Sequence, residues 1–98
     1  MRVLPHREEV VSRERKLLLR LLSGTSDPSF RFDELCLILR QLGFSERIRG
    51  DHFIFSHDGV REILNLQPEG RSAKPYQIKQ VRHVILRYGL GGEDDDEV

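Results

Sequence analysis

The 98-residue chain has a single cysteine and no long hydrophobic run, and each absence excludes a class of protein. One cysteine, Cys36, cannot form an internal disulfide, and its leucine neighbours predict a buried apolar side chain rather than a nucleophile. No apolar stretch approaches the roughly 20 residues that a membrane-spanning helix needs. The first residues also lack the apolar stretch of a secretory signal. We therefore expect a cytoplasmic protein with no membrane partner.

Two kinds of cofactor motif are missing as well. The sequence has no glycine-rich loop of the Walker or dinucleotide-binding type. Its histidines, its cysteine and its carboxylates do not cluster at the spacing of metal ligands. We therefore expect neither a metal nor another cofactor.

The net charge of zero conceals an asymmetry along the chain. Basic and acidic residues number 16 each, but five of the acids lie in residues 93–97. Residues 1–92 therefore carry 16 basic and 11 acidic residues, a net charge of +5. A mildly basic body attracts polyanions. Residues 91–98 are glycine-rich and acidic, so we expect them to form a disordered tail.

Apolar periodicity predicts three helices, at residues 5–23, 33–42 and 75–88. A proline near the start and a glycine after the end support the first of them. The polar stretch that follows it is typical of a turn or short linker. The predicted domain organisation is an N-terminal amphipathic helix with its linker over residues 1–29, a domain over residues 30–90, and the acidic tail.

Between the second and third helices the apolar residues alternate, which predicts strands at residues 44–49, 52–56 and 60–67. The links between them are tight turns, so the strands form an antiparallel meander. A sheet of three strands cannot bury both faces in a chain of this size. The predicted fold class is therefore α+β: an αβββα unit with both helices on one face of the sheet, as in double-stranded-RNA-binding domains, plus an extra N-terminal helix.

Strand alternation also predicts the direction of a histidine in the second strand. Phe53 and Phe55 should face the helices, so His52 and Ile54 should face the open side of the sheet. His52 is then either an ordinary polar residue at a strand end or a side chain displayed to a substrate.

An ordered set of motifs resembles the HicA (YcfA-like) family across residues 32–90. The set comprises Gly43-Phe44 after the second helix, RGDHFIF over residues 49–55, and a last helix ending in VILRYGL. Members of that family are ribosome-independent messenger-RNA interferases with a fold like that of double-stranded-RNA-binding domains. They are toxins held in check by a HicB-type antitoxin protein. The resemblance implies that His52 is catalytic and that the partners are messenger RNA and such an antitoxin.

The sequence departs from the family pattern beside this histidine. Asp51 stands where the family usually has serine, and Phe53 where a second histidine is frequent. Asp51 is expected either to orient the imidazole of His52 or to be a turn residue with local backbone hydrogen bonds. Because adjacent strand residues point to opposite faces, alternation favours the turn residue.

Histidine suits RNA cleavage without a metal because its proton affinity lies near neutral pH, where it can act as general base toward a 2′-hydroxyl. Positive charge must also neutralise the phosphate, and a stripe on the last helix together with the loop before it offers that charge. The residues predicted to bind RNA are Arg49, Arg71, Lys74, Lys79, Arg82, His83 and Arg87.

Two other functions fit the same sequence. The domain is alternatively a non-catalytic RNA-binding module of the same fold. It is alternatively a protein-interaction domain that forms a homodimer through its N-terminal helix. That helix is equally suited to cover apolar surface on its own domain.

Overall fold

The computed structural model describes residues 12–91, which form three helices and one three-stranded sheet. The elements are α1 (Arg13–Ser23), a 3₁₀ turn (Asp27–Ser29), α2 (Phe32–Gln41), β1 (Ser45–Arg49), β2 (His52–His57), β3 (Val60–Leu66) and α3 (Pro75–Arg87). The predicted α+β class and the αβββα order after the first helix are therefore confirmed. Across residues 12–91, none of the helices has the length and apolar character needed to cross a membrane.

The predicted first helix is wrong at Ser12, where the backbone is extended with φ −69° and ψ 162°. The Ser12 hydroxyl oxygen accepts a hydrogen bond from the backbone N–H of Arg15 at 3.0 Å. A serine in this conformation caps a helix start, so α1 begins at Arg13 and does not run through from residue 5. The rest of the predicted segment, residues 5–11, lies outside the described residues.

The sheet is an antiparallel meander in the order β1-β2-β3. Arg49 pairs with His52 across the first turn, where Gly50 takes a positive φ of 62°. Phe53 pairs with Leu66 on the other side of β2. Glycine is favoured at the turn because it adopts this backbone conformation without steric penalty. The register fixes which side chains share a face.

One face of the sheet is covered by α2 and α3, and the other is open. Phe55, Leu64 and Leu66 are fully buried beneath the helices. Each helix contributes apolar residues spaced three and four apart to the core between helices and sheet. These are Leu35, Ile38 and Leu39 from α2, and Ile78, Val81 and Ile85 from α3. This is the arrangement expected of a fold like that of double-stranded-RNA-binding domains.

Helix α1 packs on its own domain. Leu17, Leu18 and Leu21 are buried in the same core as the sheet residues. The division between residues 29 and 30 is therefore not a boundary of packing, and α1 covers apolar surface within the domain. A homodimer through this helix stays a prediction. The acidic tail lies outside the described residues, apart from Gly91, which is buried and whose carbonyl accepts a hydrogen bond from Arg15 at 3.2 Å.

An ion pair joins the 3₁₀ turn to α3 and corrects the prediction for Arg82. Its two terminal nitrogens donate to the two carboxylate oxygens of Asp27, each at 3.0 Å, and Nη1 also donates to the carbonyl of Leu21 at 3.0 Å. The hydrogen bond with Asp27 raises the pKa of Arg82. The guanidinium is thus enclosed in the domain and is not presented to RNA.

Candidate active site on the open face of the sheet

His52 lies on the open face at the start of β2, where its side chain is 47% exposed. Its pairing partner on the neighbouring strand β1 is Arg49, which is also exposed. Phe55, three residues later, is fully buried on the opposite face. The alternation of β2 therefore turns the imidazole away from the helices and toward solvent.

The imidazole of His52 is held by Asn65 on β3. Its Nδ1 lies 3.0 Å from Oδ1 of Asn65. An amide oxygen only accepts hydrogen bonds, so Nδ1 carries the proton and donates. In the neutral ring Nε2 is then unprotonated and carries the lone pair. The Asn65 contact selects the tautomer in which Nε2 can accept a proton.

Asp51 approaches the other ring nitrogen. One carboxylate oxygen lies 3.8 Å from Nε2 of His52, and the other accepts a hydrogen bond from the side chain of Gln67 at 2.7 Å. That hydrogen bond is the main cause of a lowered pKa for Asp51, with smaller contributions from the charges of His52 and Lys74. The carboxylate is therefore ionised at neutral pH and faces the ring nitrogen that would gain a proton.

Asp51 is a turn residue with a hydrogen bond to its own backbone, as predicted, and its carboxylate also approaches the imidazole of His52. Asp51 lies in the turn before β2 begins at His52, so the rule for successive strand residues does not apply to it. The turn brings its side chain back over the open face, where it reaches Gln67 and His52.

The end of β3 is fixed by a buried glutamine in the first turns of α3. Gln77 is 2% exposed. In the orientation of its amide that satisfies both groups, it bonds the backbone C=O and N–H of Gln67, each at 3.1 Å. This pairing occupies backbone groups of the residue that follows β3, an edge strand. It also sets the position of Gln67, and through Gln67 that of Asp51.

Apart from Arg82, the residues predicted to bind RNA fall into two groups of three. Arg49 lies across from His52, and the charge of Lys74, the residue that precedes α3, acts on the neighbouring Asp51. Arg71 is exposed in the loop before α3. These three belong to the His52 end of the sheet or to the loop leading from it.

The predicted stripe on α3 lies in the other layer of the domain. Lys79, His83 and Arg87 are exposed, while the opposite side of this helix packs on the covered face of the sheet. Nη1 of Arg87 lies 3.7 Å from a carboxylate oxygen of Glu62. The Glu62 carboxylate also accepts a hydrogen bond from the hydroxyl of Tyr88 at 2.7 Å, which is the main cause of a lowered pKa for Glu62. The stripe is not part of the His52 cluster.

The sequence reasoning missed Asn65 and Gln67. Both are polar residues at alternate positions near the end of the third predicted strand, which places them on the open face. Their contacts with His52 and Asp51 depend on the register between β2 and β3, which the sequence pattern does not fix. Within residues 12–91 there is no group of three or more His, Cys, Asp or Glu residues placed to hold a metal ion.

Comparisons with known proteins add no relative. No protein-family model matches the chain, and neither the curated proteins nor the solved structures give a match.

Proposed function

We propose that this chain is a metal-independent endoribonuclease of the HicA-like messenger-RNA interferase type, with His52 as its general base. The observation that carries the proposal is the hydrogen bond from Nδ1 of His52 to Asn65 at 3.0 Å, which leaves an unprotonated Nε2 on an exposed face. The resemblance of residues 32–90 to that family supports the same assignment.

In the proposed reaction, Nε2 of His52 removes the proton of a ribose 2′-hydroxyl, and the 2′ oxygen attacks the adjacent phosphorus. The bond from phosphorus to the 5′ oxygen breaks, and that oxygen takes a proton from water. The products are a 2′,3′-cyclic phosphate and a 5′-hydroxyl end. His52 then returns its proton to the solvent, which balances the proton taken from water.

Charged neighbours supply the electrostatic part of this mechanism. The carboxylate of Asp51 lies 3.8 Å from Nε2, where it helps to orient the imidazole. Arg49, paired with His52 across β1, is placed to neutralise the developing charge on the phosphorus oxygens. Asp51 and Asn65 act through His52 and are therefore positioning residues.

The test compares the purified full chain with its His52→Ala variant on a labelled single-stranded RNA in the presence of EDTA. We expect cleavage by the wild type and none by His52→Ala. His83→Ala is a matched control, because it removes an exposed histidine from α3, and it should cleave normally. Intact RNA after incubation with the wild type would refute the proposal that the chain is an endoribonuclease. RNA binding without cleavage would support the alternative of a non-catalytic RNA-binding module.

An active nuclease of this kind acts on messenger RNA in the cytoplasm and must be restrained there. We therefore propose a HicB-type antitoxin protein as its partner, covering His52 and the neighbouring basic residues. A small adjacent reading frame for such an antitoxin is the direct check. Co-expression of its product should protect cells from the wild-type chain but should make no difference with His52→Ala.

A further inference from the structure

The open face of the sheet carries more positive than negative charge, with three arginines against the carboxylate of Asp51. Arg47 and Arg49 project from β1 onto this face, since they pair with Ile54 and His52. Arg61 of β3 projects onto the same face, because the exposed and buried residues of this strand alternate. All three arginines are exposed, and within residues 12–91 no carboxylate lies in salt-bridge range of any of them.

Several arginines elsewhere in the domain are paired with carboxylates. Arg40 forms two hydrogen bonds with Glu46, at 3.0 and 2.9 Å. Arg20 bonds Glu34 at 2.9 Å, and the pair of Arg82 with Asp27 is described above. The three arginines of the open face differ from these in having no such partner within the described part of the chain, a property they share with Arg71 and Lys79 outside the sheet.

Two isoleucines lie between these arginines. Ile63 of β3 is 63% exposed, and Ile54 of β2 is half-buried. They line a shallow groove across the strands with Arg47, two serines and Glu46, whose carboxylate is paired with Arg40. Aliphatic surface flanked by cations suits a chain that exposes both apolar faces and phosphates, which describes unpaired nucleotides. Two isoleucines without an aromatic residue make a poor centre for a protein–protein interface.

We propose that single-stranded RNA binds across the open face along β1, with its phosphates on Arg47, Arg49 and Arg61 and its bases over Ile54 and Ile63. Arg47 and Arg49 are two residues apart, about 7 Å along the strand, so each can meet a different phosphate. The inference rests on the proposed function for its choice of RNA. It assigns binding to the sheet instead of to the stripe on α3.

Binding can be measured without cleavage in the full-length His52→Ala protein. Fluorescence anisotropy of a labelled oligouridine is recorded over a range of KCl concentrations. Each phosphate contact on a single strand contributes about 0.7 to the salt slope, which is about fourfold in affinity near 0.15 M salt. Arg47→Ala, Arg49→Ala and Arg61→Ala should each lose that amount, and the triple variant about 50-fold. An RNA duplex should compete poorly with the oligouridine.

The matched control replaces Lys79 and Arg87, exposed cations of α3, with alanine, and this variant should bind as the parent does. If the control weakens binding and the three arginine variants do not, the RNA lies along α3 and the inference is wrong. If the parent does not bind the oligouridine at all, the inference also fails, and the face is left to an acidic protein partner. If the wild type cleaves RNA but the three arginine variants bind the oligouridine as tightly as the parent, only the proposed binding site on the sheet is wrong. Binding through the arginines without cleavage by the wild type overturns the proposed function alone.

Discussion

Replacing Arg82 with methionine removes the cation that ties the 3₁₀ turn and the end of α1 to α3. The guanidinium makes three hydrogen bonds, two to Asp27 and one to the carbonyl of Leu21, all at 3.0 Å. The side chains of Arg82 and Asp27 are only 17% and 10% exposed. Arg82→Met therefore leaves a carboxylate largely buried with no positive partner.

The magnitude follows from the burial of the pair. Removing one member of a buried ion pair destabilises a protein by about 3–5 kcal/mol, and we expect about 3 kcal/mol here because the pair is not completely enclosed. For a domain of this size that is a fall in Tm of about 15 °C. The ion pair of Arg31 and Asp33, whose side chains are 57% and 66% exposed, is the matched control. Arg31→Met should lose less than about 0.5 kcal/mol.

Urea unfolding followed by circular dichroism measures both variants. Adding Asp27→Asn to Arg82→Met should recover part of the loss, because the double variant has no buried charge left without a partner. A loss for Arg82→Met as small as that for Arg31→Met would refute the reasoning. It would return Arg82 to the group of surface cations available to RNA.

Three further predictions concern the thiol, the end of α3 and the tautomer of His52. Burial raises the pKa of the Cys36 thiol to about 12. A thiol reagent at about pH 8 should therefore react with Cys36 only after unfolding in urea. Rapid labelling of the native protein would contradict the burial of this side chain. The hydroxyl of Tyr88 lowers the pKa of Glu62 in the folded protein. Such a carboxylate stabilises the fold at any pH above its pKa in the unfolded protein, and this stabilisation is lost as the pH falls through its pKa in the folded protein. Tyr88→Phe should therefore be less stable than the wild type in urea at about pH 7, and the difference should shrink as the pH falls below the ordinary pKa of a glutamate, whereas a constant difference would refute the link to Glu62. Asn65→Ala should shift the imidazole of His52 toward its other tautomer, as seen in nitrogen NMR spectra, and should slow RNA cleavage about tenfold. Asn65→Asp should restore the original tautomer. An unchanged spectrum for Asn65→Ala would remove Asn65 from the mechanism.

The elements of the fold were predictable because their signals are local. The change from helical to alternating periodicity marks the three strands, and the two phenylalanines of β2 fix which face is covered. That pattern was enough to place His52 on the open side. The start of α1 was predicted wrongly because Val10 and Val11 extend the apolar pattern through Ser12, although the backbone there is extended.

The contacts of the candidate site depend on distant residues and were not predictable. Arg82 looks like any basic residue on a surface helix, because its partner Asp27 lies 55 residues away in sequence. Asn65 reaches His52 only through the register of β2 with β3. Alternation gives the face of a side chain, but not the partner that lies opposite it.

The central claim is that Nε2 of His52 removes a proton from a ribose 2′-hydroxyl. The most direct measurement incubates the wild-type chain and His52→Ala with an end-labelled single-stranded RNA in EDTA and identifies the new ends. The wild type should yield 2′,3′-cyclic phosphates, and no cut at a position where the 2′-hydroxyl is replaced by hydrogen. Cutting at the deoxy position, or equal cutting by His52→Ala, would contradict the mechanism.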